Sequence, residues 1–369
     1  MVFGFFKKSE YADSIFMGGK IFTQNTDLPW AEAVACKEGR ILAVGDYEDL
    51  SEFEGKHTEV IDLRGNVLLP GYIDTCGHPA MNAMKESCLF LTEGNLEDTL
   101  AQIAEYASEN TDADIIFAYG YREDILKGLE ADQAREMLDG ICGDRPVIVL
   151  GKSGFHCFVN TAASDIVKAA AEEDEIKTVN LSYLLGVLAP IDRDALPDAL
   201  TADVREYCRR GFTSVFDCGA PDYFASVYQN LLIHLYQEDL LKQRFFGSLL
   251  INRNVNPKAV MHILAQYRTN CAELNGDINF KTLKLLVDDS EEALSISDEV
   301  LKELCLESGD KGFDVHIDAL GEGEASRASE ALGATRSAGY RKNSFTLAGS
   351  PVGGQSERND MCYQMDISR

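Results

Sequence analysis

Hydrophobic positions along this chain change their period near Ile73. Before that point, short apolar runs are broken by glycine-containing turns, a strand-and-turn pattern. Ser14 to Thr23 predicts a hairpin around Gly18-Gly19. Ala31 to Gly45 predicts a second, turning at Glu38-Gly39. Val60 to Val67 closes the group with a turn at Gly65-Asn66. Beyond Ile73, apolar strand-like runs alternate with stretches of helical spacing, which predicts a parallel α/β arrangement. The strands expected there are Asp114–Gly120, Arg145–Gly151, Phe212–Asp217, Arg244–Leu250, Leu283–Val287, Phe313–Asp318 and Phe345–Ser350. Helices are expected over Leu96–Ala107 and Asp298–Leu306. The stretch Pro351–Asp360 is polar and shows no period.

Composition narrows the classes of partner. The 369 residues carry 34 Lys and Arg against 61 Asp and Glu, a formal charge of −27. Such a surface repels phosphate backbones and anionic membranes, so neither nucleic acid nor membrane is an expected partner. The acidic runs at Glu172–Glu175 and Asp288–Glu292 read as solvated surface. Ten cysteines occur without a Cys-x-x-Cys pair, which reads as free thiols in a reducing compartment. The first ten residues lack the order of a secretory signal, and no apolar run reaches the length of a membrane span. A cytoplasmic protein is the expectation.

The candidate chemistry centres on Val67-Leu68-Leu69-Pro70-Gly71-Tyr72-Ile73-Asp74-Thr75-Cys76-Gly77-His78-Pro79. In an extended strand, residues two apart share a face, so Cys76 and His78 can grip one metal ion from one strand end. This stretch resembles the first-strand motif of the amidohydrolase superfamily, Pro-Gly-Phe-Ile-Asp-x-His-x-His, with Cys76 in the place of the first histidine. The runs GKIFTQN, EAVACKEGRILAVG and DRPVIVLGKSGFHCFVNTAA extend the resemblance, which covers about residues 11–349. It implies a β-sandwich subdomain over 11–68 and an incomplete TIM-like (β/α) barrel over 69–349. An α/β insertion at about 90–200 and an irregular tail at 350–369 complete the expected α/β layout. Six barrel strands are counted where the family has eight, so the chain reads as truncated. Open strand edges would then favour a homo-oligomer.

The same resemblance implies a hydrolase of non-peptide C–N bonds in a small-molecule substrate. His78 and Cys76 correspond to metal ligands. Lys284 corresponds to a strand-end lysine that can be carboxylated to bridge two metals, and Asp318 to a histidine ligand. Gly349 corresponds to a Glu-His pair, and the closing proton-accepting aspartate has no counterpart. His156 corresponds to a residue near the substrate. The expected cofactor is one zinc ion at most, held by Cys76, His78 and Asp318 with Lys284 orienting, or none. The alternative is a catalytically silent binding protein or truncated copy. In the bland reading, Cys76 is a buried thiol, His78 is a hydrogen-bonded strand end, and Lys284 reaches solvent. His316 shares a face with Asp318 and either joins the site or is satisfied by backbone. His57, His234 and His262 carry no signal, and Gly321–Ala325 does not read as a phosphate loop.

Overall fold

A computed structural model describes residues 11–348, apart from 85–87, 93, 127–130, 152–155, 175, 177–178, 180, 189–193, 221, 275, 288–295 and 320. Gly349, the tail from 350 and the acidic run Asp288–Glu292 lie outside the described residues. The chain divides into two compact units, Met1–Tyr72 and Ile73–Arg369.

The first unit holds two small sheets. β1 (Ser14–Met17), β4 (Ala33–Lys37), β5 (Arg40–Gly45) and β6 (Glu59–Asp62) form one, in the order β5-β4-β1-β6. β2 (Lys20–Phe22), β3 (Trp30–Ala31) and β7 (Val67–Leu68) form the other, in the order β3-β2-β7. The hairpin expected at Glu38-Gly39 is present, because β4 and β5 pair antiparallel. The other two expected hairpins are not hairpins. β1 pairs with β4 and β6, whereas β2 pairs with β3 and β7, so the chain changes sheet at Gly18-Gly19. It changes sheet again between β6 and β7. The crossings lie side by side, with Lys20 N–H donating to the Asn66 carbonyl at 3.1 Å. A Cβ on Gly19 would fall 2.2 Å from that carbonyl oxygen, so the close approach of the two crossings requires glycine there.

The second unit contains two further sheets. β9 (Leu89–Phe90), β10 (Ile116–Tyr121), β11 (Val147–Gly151) and β12 (Cys157–Val159) form one, in the order β12-β11-β10-β9. The other has six strands: β8 (Tyr72–Gly77), β13 (Phe212–Asp217), β14 (Arg244–Ile251), β15 (Ile278–Val287), β16 (Asp314–Ala319) and β17 (Phe345–Ala348). Its order is β17-β16-β15-β14-β13-β8. From β13 to β17 every pairing is parallel. Helices connect the strands, including 196–209, 257–270, 298–311 and 322–337. This is part of a TIM-like barrel wall, open at β8 and β17 among the described residues.

The sheet is strongly curled. Phe216 on β13 and His316 on β16 stack with ring centroids 5.1 Å apart. Three inter-strand steps would separate them by roughly 14 Å on a flat sheet. The face carrying both rings is therefore concave. The opposite face packs Val215, Phe245, Leu283, Leu285, Val315 and Ile317 into the largest core cluster, each of them essentially inaccessible to solvent. Strands covered on both faces read as near-continuous apolar runs, which is why they were legible in the sequence. No helix among the described residues is long and apolar enough to cross a membrane.

Candidate metal centre

β8 and β13 bring their ends together unusually closely. Cys218 N–H donates to the Gly77 carbonyl at 2.9 Å. A Cβ on Gly77 would lie 2.6 Å from Val215 Cγ1, so a side chain there would push the two strands apart. Just beyond β13, Gly219 N–H donates to Asp217 Oδ1 at 3.0 Å, and the Ser248 hydroxyl donates to the Asp217 carbonyl at 2.7 Å. Gly219 adopts φ +97°, a conformation that favours glycine. These contacts fix the turn that presents Cys218. On β8, Asp74 braces Cys76: its Oδ1 accepts from Cys76 N–H at 3.0 Å and its Oδ2 from the Tyr207 hydroxyl at 2.9 Å. His78 follows two residues later, its carbonyl accepting from Asn82 N–H at the start of a short helix.

The result is a cluster of three metal-binding side chains. The donor atoms of Cys76, His78 and Cys218 all lie within 4.8 Å of one another. The two sulfurs are 3.7 Å apart. Tetrahedral zinc with bonds of about 2.3 Å to sulfur needs a sulfur–sulfur edge of roughly 3.8 Å, so the thiol pair fits that ion as it stands. A disulfide would need roughly 2.05 Å, so the thiols are free.

The next strands add a charged group on the concave face. Lys284 and His316 are register partners on β15 and β16, as are Leu286 and Asp318. The Lys284 ammonium donates to Asp318 Oδ2, while His316 Nε2 faces Asp318 Oδ1 at 3.6 Å. Lys284 is only 2% exposed, so it does not reach solvent at the strand end. The electrostatics link this group to the thiols. Burial lowers the pKa of His78, the Lys284 ammonium lowers it further, and Asp318 and Asp74 oppose both. Burial pushes the Cys218 thiol up to about 12, against the pull of Lys284 and with Cys76 adding to the rise. Burial would also raise Asp318, but the neighbouring His316 imidazole and the Lys284 ammonium outweigh it and hold that carboxyl at about 2.

The residues expected from the sequence are thus distributed unevenly. Cys76 and His78 share the cluster. Asp318 and Lys284 form an adjacent ion pair, with both Asp318 oxygens turned to Lys284 and His316. His156 lies on a different sheet, just before β12, its carbonyl accepting from Gly151 N–H at 2.7 Å. The member missed by sequence reasoning is Cys218. Its signal was its place one residue past an expected strand, at the same strand-end level as Cys76.

Comparison with known proteins places this geometry in context. The sequence family described as "Amidohydrolase family" matches residues 59–361. The "Exoenzymes regulatory protein AepA" of Pectobacterium carotovorum subsp. carotovorum is 29% identical over 174 residues, 46% of this chain and 37% of that protein. The "Putative amidohydrolase YtcJ" of Bacillus subtilis (strain 168) is 26% identical over 219 residues, 54% of this chain and 41% of that protein. The chain thus spans about two-fifths of the length of these relatives. Among solved structures, an uncharacterised metal-dependent hydrolase from Pyrococcus horikoshii OT3 superposes with a TM-score of 0.59 at 16% identity. The superposition covers 90% of this chain and 69% of that one. At that identity, the likeness speaks to the fold.

Proposed function

The chain belongs to the amidohydrolase family, and from that premise we propose that it hydrolyses C–N bonds in small amide-like molecules at the Cys76, His78 and Cys218 cluster. The observation that carries this reading is the 3.7 Å separation of the two thiols beside an imidazole at the C-terminal strand ends. Parallel α/β barrels gather their chemistry at that end. Two thiolates and one imidazole would hold a single zinc ion, leaving a fourth position for water or substrate. Bound there, zinc would polarise a carbonyl and make water more acidic.

The remaining residues have roles of their own in this reading. Asp318, kept ionised by Lys284 and His316, presents fixed negative charge to the His316 ring. Phe216, stacked on the same ring, holds its plane. Lys284 neutralises Asp318, so the pair adds no net charge to the concave face. With Lys284 committed to that pair, the proposal is one ion and not two.

A second reading, a binding protein without turnover, draws on the same commitment of Asp318, which replaces a ligand of the family motif with half of an ion pair. Hydrolysis of a panel of N-formyl and carboxamide compounds, read by release of free amine, separates the two. Turnover that rises with one equivalent of zinc and falls at least 100-fold in His78→Ala supports the first. Saturable binding of such compounds with no amine released, by zinc-loaded protein, would replace it with the second.

A further inference from the structure

The Cys76 and Cys218 thiols have a further chemistry open to them. Here the hydrogen bond from Cys218 N–H to the Gly77 carbonyl ties the two strand ends together, and the sulfurs are 3.7 Å apart. A disulfide holds its sulfurs roughly 2.05 Å apart, so forming it closes this gap further, at a point where Cys218 already lies beyond the end of β13. The two thiols also differ in access: Cys76 is exposed, whereas Cys218 is 1% exposed. An accessible thiol backed by a shielded one is the arrangement that thiol–disulfide exchange uses, the first attacking and the second resolving.

We propose that Cys76 and Cys218 form a reversible disulfide by exchange with a small-molecule disulfide, and that this bond and a metal ion at the cluster exclude each other. The second half rests on reading the cluster as a metal centre, because the bond would consume two of its three donors. The exchange balances without another reactant. The Cys76 sulfur, having lost its proton to solvent, attacks one sulfur of the small disulfide and releases one small thiolate. A mixed disulfide on Cys76 results. Cys218 then loses its proton, attacks Cys76 Sγ and releases the second small thiolate. The two protein thiols are oxidised, the small disulfide is reduced to two thiols, and the two protons end on those thiols.

The test uses the full chain, metal-free and fully reduced, incubated with oxidised glutathione. The expected product has lost two hydrogens, gives a peptide linking Cys76 to Cys218, and returns to the starting mass with a dithiol reductant. Cys218→Ser should instead retain one glutathione on Cys76. With free zinc at 100 times its Kd, about 1% of the protein is metal-free, so linkage should slow roughly 100-fold. Absence of the linked peptide overturns the proposal even if zinc binds. Linkage at the same rate with and without bound zinc overturns the mutual exclusion. Linkage in a protein that binds no zinc in any state upholds the disulfide and sinks the metal reading instead.

Discussion

Cys218→Ser should lower zinc affinity by at least two orders of magnitude, although no sequence motif marks this residue as a ligand. Structural zinc sites of four donors bind with roughly 10–16 kcal/mol near neutral pH, so one donor corresponds to about 3 kcal/mol or a little more. That is a factor of more than about 100 in Kd. Cys76→Ser should cost a similar amount. Cys208→Ser, an exposed thiol outside the cluster, should cost nothing measurable. Competition against a chromophoric chelator measures all three. Equal affinities in the wild type and Cys218→Ser would remove Cys218 from the centre.

The second large effect is on stability. Asp318→Ala would leave the Lys284 ammonium buried without its carboxylate, and breaking such a pair from one side costs about 3–5 kcal/mol. Removing both charges is far milder, because an apolar pair of similar volume suits a covered strand. The double variant Lys284→Met, Asp318→Ala should therefore recover most of the loss, as read by chemical denaturation at neutral pH. The acid side follows from the same pair. The Asp318 carboxyl is held at about 2 in the folded chain, below its ordinary value of 3.8. Its contribution is thus present above about pH 4 and disappears as the pH falls towards 2. The wild type should lose that increment over this window, on the order of 2 kcal/mol, and the double variant should not. A double variant as unstable as Asp318→Ala would show that the pair is not what Asp318 supports.

What could be read from the sequence follows the physics of each feature. Runs such as Phe212–Asp217 announced a strand because both faces are covered, and the element is found with those bounds. Periodicity fixes where a strand lies but not which strand it meets. Gly18-Gly19 and Gly65-Asn66 therefore looked like hairpin turns and are sheet crossings instead. The pairing of Cys76 with His78 was legible because a two-residue spacing on one strand is local. Cys218 lies 142 positions from Cys76, and only the adjacency of β8 and β13 joins them. Lys284 was ambiguous for a related reason. Whether a lysine on an apolar strand reaches water or a carboxylate depends on the neighbouring strand, and here that strand supplies Asp318.

In the proposed centre, Cys76, His78 and Cys218 act together on one ion, and cobalt substitution reads its sulfur ligands directly. Protein loaded with one equivalent of Co²⁺ should show an intense thiolate-to-cobalt charge-transfer band in the near ultraviolet. That band should weaken in each of Cys76→Ser and Cys218→Ser and vanish when both are replaced. Cobalt bound without the band, or with a band that both serine variants leave unchanged, would contradict it.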